Sequence, residues 1–119
     1  MIFNILGHID LIRSGQKTQT RRVNRGIYQV GRDYAVQRKR GVKAEDAIRI
    51  KIEKIWSESE SECILGEYYP DPISISAYDA KQEGGYTPCE YELEFRRAYP
   101  NWDGKTRWAF YFLVIEVQK

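Results

Sequence analysis

Isoleucine alternates strictly with charge in Ile48-Arg49-Ile50-Lys51-Ile52-Glu53, the period of a strand with one buried and one wet face. The run from Trp108 to Val117 is apolar almost without interruption, so it reads as a central strand covered on both faces. Lys17 to Val23 is rich in β-branched residues and reads as a third strand, with Thr18, Thr20 and Arg22 on one face and a turn at Asn24-Arg25-Gly26. Tyr34 to Gln37 follows a turn at Gly31 as a fourth, and Met1 to Asn4 is short and extended.

Elsewhere the period lengthens. Ile5, Ile9 and Ile12 recur at helical spacing with Leu6 beside them, and Ser14-Gly15 closes that helix. Ser76 to Glu83 forms a short helix stopped by Gly84-Gly85. Tyr91, Leu93 and Phe95 alternate with glutamates as a strand would. Yet Thr87-Pro88-Cys89-Glu90 combines an N-cap, a proline at the first helical position and a capping-box glutamate, which predicts a helix to about Ala98. Between these elements, Ser57 to Glu62 reads as an acidic polar excursion and Tyr69 to Pro72 as a loop.

Short strands around one apolar strand, with helices inserted at two places, predict an α+β fold: a small twisted β-barrel decorated by helices. The chain has 119 residues and no repeat or linker, which suits a single domain over 1–119. Its 42% hydrophobic content is enough for a packed core and excludes disorder. With no apolar run near the roughly 20 residues of a membrane helix and no secretion signal, a cytoplasmic protein without a membrane partner is expected. Cys63 and Cys89 lie far apart and the chain has one histidine, too few ligands for structural zinc, so free thiols and no metal are expected.

Charge changes the picture. The total is only +2, but residues 11–43 hold ten basic residues against the single acid Asp33, a net of +9 that leaves −7 for the remainder. Such an asymmetry draws phosphates to one region and keeps them off another. Arg38-Lys39-Arg40 is equally readable as a solvated run.

Candidate chemistry begins at Ser14-Gly15-Gln16-Lys17-Thr18-Gln19-Thr20-Arg21-Arg22. This stretch resembles the signature of ASCH domains, a PUA-like superfamily of small β-barrels in which a helix ends in glycine before a Lys-Thr-x-Thr-x-Arg strand. Val30 to Val36 looks like the family's turn into a barrel strand, and Phe110 to Val117 falls where the family has its last one. ASCH domains as a class are taken to bind RNA, and the motif is most similar to a catalytic branch, the small bacterial N4-acetylcytidine amidohydrolases. Carried over residue by residue, the resemblance implies Lys17, Thr20 and, through the Ala80-Lys81-Gln82-Glu83 segment, Glu83 as catalytic residues, with no metal and no cofactor. Gly84-Gly85 and the denser arginines depart from that branch.

Amide hydrolysis needs a nucleophile, a base to deprotonate it and an acid for the departing amine. Thr20 can attack if a lysine acts as its base, and burial or a nearby cation such as Arg22 makes Lys17 able to do so. Glu83 would shuttle protons and orient the lysine. Residues three apart in a regular strand point to opposite faces, so Lys17 must lie in the bend after Gly15 and not within the strand. Arg21, Arg22 and Thr18 are expected to contact substrate or phosphate. Of Tyr68, Tyr69, Tyr78 and Tyr86, one is expected to stack on a base, with Tyr86 nearest Glu83. His8 reads as a structural or surface residue, and Trp56, Trp102 and Trp108 as core or lid. The expected activity is removal of the acyl group from an N4-acylated cytidine or a similar modified nucleoside. The alternative is a non-catalytic RNA-binding domain using the basic 11–43 region.

Overall fold

The structure, a computed structural model, describes residues 8–36, 48–59 and 73–116. The predicted opening strand at 1–4, the basic run Arg38-Lys39-Arg40, Cys63, Tyr68 and the 69–72 loop lie outside the described residues. Within them the elements run α1 (His8–Arg13), β1 (Gln19–Arg22), β2 (Asp33–Ala35), β3 (Arg49–Ser59), α2 (Ala77–Gln82), α3 (Pro88–Ala98) and β4 (Thr106–Glu116). The strands form one antiparallel sheet in the order β1-β4-β3-β2, curled into a half-barrel, and the fold is α+β.

The predicted elements form for the reasons their residues give. Thr87 and Glu90 make the reciprocal capping box of α3, with Pro88 at its start. Ser76 caps α2, and Gly84 and Gly85, at φ 138° and 91°, turn the chain out of it. Gly15, at φ 83°, ends α1 while the Lys17 N–H reaches back to the Leu11 carbonyl.

One face of the sheet buries Ile48, Ile50, Ile52, Phe110 and Phe112 against Ile9 and Ile12 of α1. A second cluster, Ile75, Ala80, Tyr91 and Phe95, is contributed by α2, α3 and their approaches.

Two expectations are corrected. Strand β3 does not give way to a polar excursion at Ser57 but pairs with β4 as far as Ser59. The register shifts between Ile52 and Lys54, leaving Glu53 without a partner on β4. That extra residue reverses the alternation, so Ile55 still falls opposite Phe110 and packs on the core, while Glu58 turns to the opposite face. The polar stretch stays in the sheet because that face offers cations to its glutamate. Secondly, β4 is not covered on both sides throughout, since Leu113 and Ile115 are exposed. Helix α3 reaches the Arg107 end of that face, where Arg107 lies against Tyr91 and Phe95.

Candidate active site

Strand β1 is four residues long and sits at one edge of the sheet, paired only with β4 among the described residues. Lys17 precedes it, in the bend after Gly15, as the spacing argument requires. Thr20 and Arg22 stand opposite Phe110 and Trp108, whereas Gln19 and Arg21 stand opposite Tyr111 and Ala109. The two sets point to opposite faces of the strand. Glu83, the C-cap of α2, meets this edge: Thr18 N–H donates to the Gln82 carbonyl at 2.8 Å.

A cavity of about 400 Å³ opens here, a size usual for small-molecule sites. Lys17, Thr20, Arg21, Arg22, Glu83 and Tyr86 all line it, so six of the seven residues singled out from sequence are gathered around one space. Thr18 is not among them. Its hydroxyl donates to Gln82 Oε1 at 2.6 Å and ties β1 to α2. Arg21 lines the cavity, and its guanidinium is held there by the carboxylates of Glu58, Glu83 and Asp79. Tyr78 is exposed and lies away from the lining, and Tyr68 and Tyr69 fall outside the described residues.

The centre is an ion pair removed from water. Lys17 and Glu83 are each 1% exposed, and the ammonium donates to Glu83 Oε1 at 2.7 Å and to the Glu83 carbonyl at 2.9 Å. Burial pushes the Lys17 pKa below its ordinary value; Glu83 opposes this, while Arg22 and Arg21 add to it. Glu83 Oε2 accepts from Arg21 Nη1, also at 2.7 Å. Arg21 further grips Glu58 through Nε and Nη2, and Glu58 accepts from Arg107 Nε. Burial alone would lower the Arg21 pKa, but the bonds to Glu58 and Glu83 outweigh it and the net direction is up.

His8 was not expected in the site, yet it is buried and lines the cavity, with Nε2 2.9 Å from the Tyr86 hydroxyl. Burial, then the Lys17 charge, push its pKa down to about 4, so the ring is neutral at physiological pH. The signal for it was available in sequence: a polar ring one turn before Ile12 on the face of α1 that must be buried. Tyr91 and Phe95 of α3 and Tyr99, which caps it, supply an aromatic wall. Of the ten basic residues in 11–43, Lys17 and Arg21 are buried in ion pairs, and residues 38–43 lie outside the described residues.

Set against solved structures, the chain aligns with the crystal structure of an ASCH domain from Lactobacillus crispatus JV V101 at a TM-score of 0.65. The alignment covers 90% of this chain and 69% of that one, at 15% identity. The fold is that of an ASCH domain. No protein-family model matches the sequence, and no curated protein matches it either. The site occupies the strand β1 that follows α1, closed by the C-terminal end of α2. No helix among the described residues is long and apolar enough to cross a membrane.

Proposed function

We propose that this ASCH domain is an amidohydrolase that removes the acyl group from the exocyclic N4 of an acylated cytidine or a closely similar modified nucleoside. The observation that carries the reading is the meeting, in one cavity, of a buried lysine held on a carboxylate with a strand threonine. In its neutral form Lys17 takes the proton of the Thr20 hydroxyl, whose oxygen attacks the amide carbon. Glu83 orients the lysine and, as acid/base, passes a proton to the departing amine. Arg22, two residues beyond Thr20 on the same face, places positive charge where the carbonyl oxygen becomes an anion. The acyl group passes to Thr20, the amine leaves as cytidine, and water then releases the carboxylic acid.

The test is conversion of N4-acetylcytidine and a panel of other N4-acyl cytidines to cytidine, followed by chromatography, with Lys17→Ala, Thr20→Val and Glu83→Gln alongside. Turnover by the wild type and its loss of about 100-fold or more in each variant is expected. No turnover across the panel removes the enzyme reading, and equal turnover by folded variants removes the residue roles.

A second reading, RNA binding without catalysis, draws on one local feature. Arg22 stands opposite Trp108 in the sheet, and Arg25 stacks on the same indole at 5.7 Å, a cation and aromatic surface beside the cavity suited to an unpaired base. RNA affinity that falls steeply with salt, in a protein without turnover, favours it.

A further inference from the structure

Both oxygens of Glu83 are engaged by cations, Oε1 by Lys17 and Oε2 by Arg21. Arg21 is itself fixed from every side. Its Nε and Nη2 lie on Glu58, its Nη1 also reaches Gln19 Oε1, and its Nη2 is 3.4 Å from Asp79. Glu58 is shared with Arg107, which Glu92 clamps through both oxygens. The charges therefore alternate along Lys17, Glu83, Arg21, Glu58, Arg107 and Glu92. The side chain of Arg21 is fully buried, so its guanidinium has no competing solvent and one available geometry.

We propose that Arg21 is a positioning residue for the hydrolysis assigned above: by claiming Glu83 Oε2 it turns Oε1 to the Lys17 ammonium and leaves Lys17 as the single proton carrier. This rests on the amidohydrolase reading and alters one part of it, because Glu83 then accepts hydrogen bonds throughout and never protonates the leaving group. The proton follows one route. Lys17 Nζ removes it from Thr20 as the Oγ–C bond forms and the carbonyl electron pair moves to oxygen. When that pair returns, the C–N4 bond breaks and N4 takes the proton from Lys17. In the second half, water loses a proton to Lys17 and attacks the ester, and Thr20 Oγ leaves with that proton. The sum is amide plus water giving amine plus carboxylic acid, with Lys17 restored.

Among the described residues, the groups that face Lys17 are Glu83 at the end of α2, Arg21 and Arg22 of β1 and His8 of α1. Removing the Arg21 charge takes away one of the two arginines that favour neutral lysine. The experiment has two arms. In the first, the Lys17 side-chain carbon resonances are titrated by NMR in the wild type, Arg21→Gln and Arg21→Lys. The midpoint is expected to move upward in Arg21→Gln and to stay near the wild type in Arg21→Lys; an unmoved midpoint in Arg21→Gln overturns the proposal. In the second, kcat and KM on N4-acetylcytidine are measured against pH. Arg21→Gln is expected to lower kcat about tenfold or more with KM little changed, and to move the rise of kcat to higher pH. Arg21→Lys is expected to recover part of kcat.

Wild-type kcat and pH profile in a folded Arg21→Gln protein overturns the proposal. Should that variant not fold, Arg21→Lys decides alone: its shorter side chain cannot reach Glu83 and Glu58 together, so kcat must fall, and an unchanged kcat overturns it. A wild type without turnover is the failure of the amidohydrolase reading instead, and the NMR arm still reports on Arg21.

Discussion

Arg107 offers the sharpest test of what the buried charges contribute to stability. Its side chain is 0% exposed and makes two bonds of 2.7 and 2.8 Å to Glu92 and one of 2.8 Å to Glu58. Arg107→Met keeps most of the volume against Tyr91, Phe95 and Trp102, over whose rings the guanidinium lies at 4.8 to 5.6 Å, so a cavity contributes little. What remains is the cost of two carboxylates deprived of a cation. Breaking a buried pair by removing one partner costs about 3–5 kcal/mol. The lower end applies here. Glu58 keeps Arg21, Glu92 keeps the Ile75 N–H at 2.7 Å, and at 18% and 16% side-chain exposure both are reached by water. A loss of about 3 kcal/mol corresponds to a fall in Tm of about 10–15 °C for a domain of this size. Urea unfolding followed by tryptophan fluorescence measures it directly. Adding Glu92→Gln to Arg107→Met removes one stranded charge and should return about 1 kcal/mol. A loss below about 1 kcal/mol in the single variant, or simple additivity in the double, refutes the reasoning.

Other consequences are independent of substrate. The sole histidine gives one imidazole set in the NMR spectrum, which should titrate near 4, and a midpoint near the ordinary 6.5 contradicts the burial of His8. Because the unfolded chain takes up that proton near 6.5 and the folded one does not until about 4, stability should fall as pH drops through this window, with a shallower slope in His8→Phe. Burial pushes the Glu58 pKa up, but Arg21 and Arg107 outweigh it and hold it below its ordinary value. Its contribution is thus present above the ordinary carboxylate range and is lost as pH falls through the depressed value. Urea midpoints measured from neutral to acid pH should show that acid loss, and Glu58→Gln should show less of it. Gly84→Ala should destabilise by about 1–2 kcal/mol in the same unfolding assay, since φ is 138° and a Cβ would stand 2.9 Å from Leu11 Cδ1. Thr18→Val should cost about 1 kcal/mol by loss of the bond to Gln82, and Michaelis constants unchanged by it would match a residue outside the cavity.

What was legible in the sequence was local. The start of α3 is written in four adjacent residues, and the end of α2 in two glycines, because capping is decided within one turn. The strand read from Lys17 to Val23 is shorter, Gln19–Arg22, and leaves Lys17 in the bend that a site shared with Thr20 requires. The bulge in β3 was not legible, since the sequence shows only that alternation stops, and whether the chain leaves the sheet or shifts phase depends on what β4 and Arg107 offer across from it. The carboxylate partners of Arg21 were hidden for a related reason. They are 37 and 62 positions away, and nothing local to Arg21 points to either carboxylate. His8 stood on an apolar helix face, where burial and the charge of Lys17 keep its ring neutral beside a tyrosine 78 positions on.

The alternating charges from Lys17 to Glu92 also bear on the order in which the molecule assembles. Their carriers are scattered from residue 17 to residue 107, and no two consecutive links lie on the same element. Until β4 has paired with both β1 and β3, each of these groups is better served by water than by a partner not yet in place. Site formation should therefore be late and all at once, in step with the non-local pairings that limit the folding rate. A partly folded chain with a native first sheet face would have no cavity to offer a substrate.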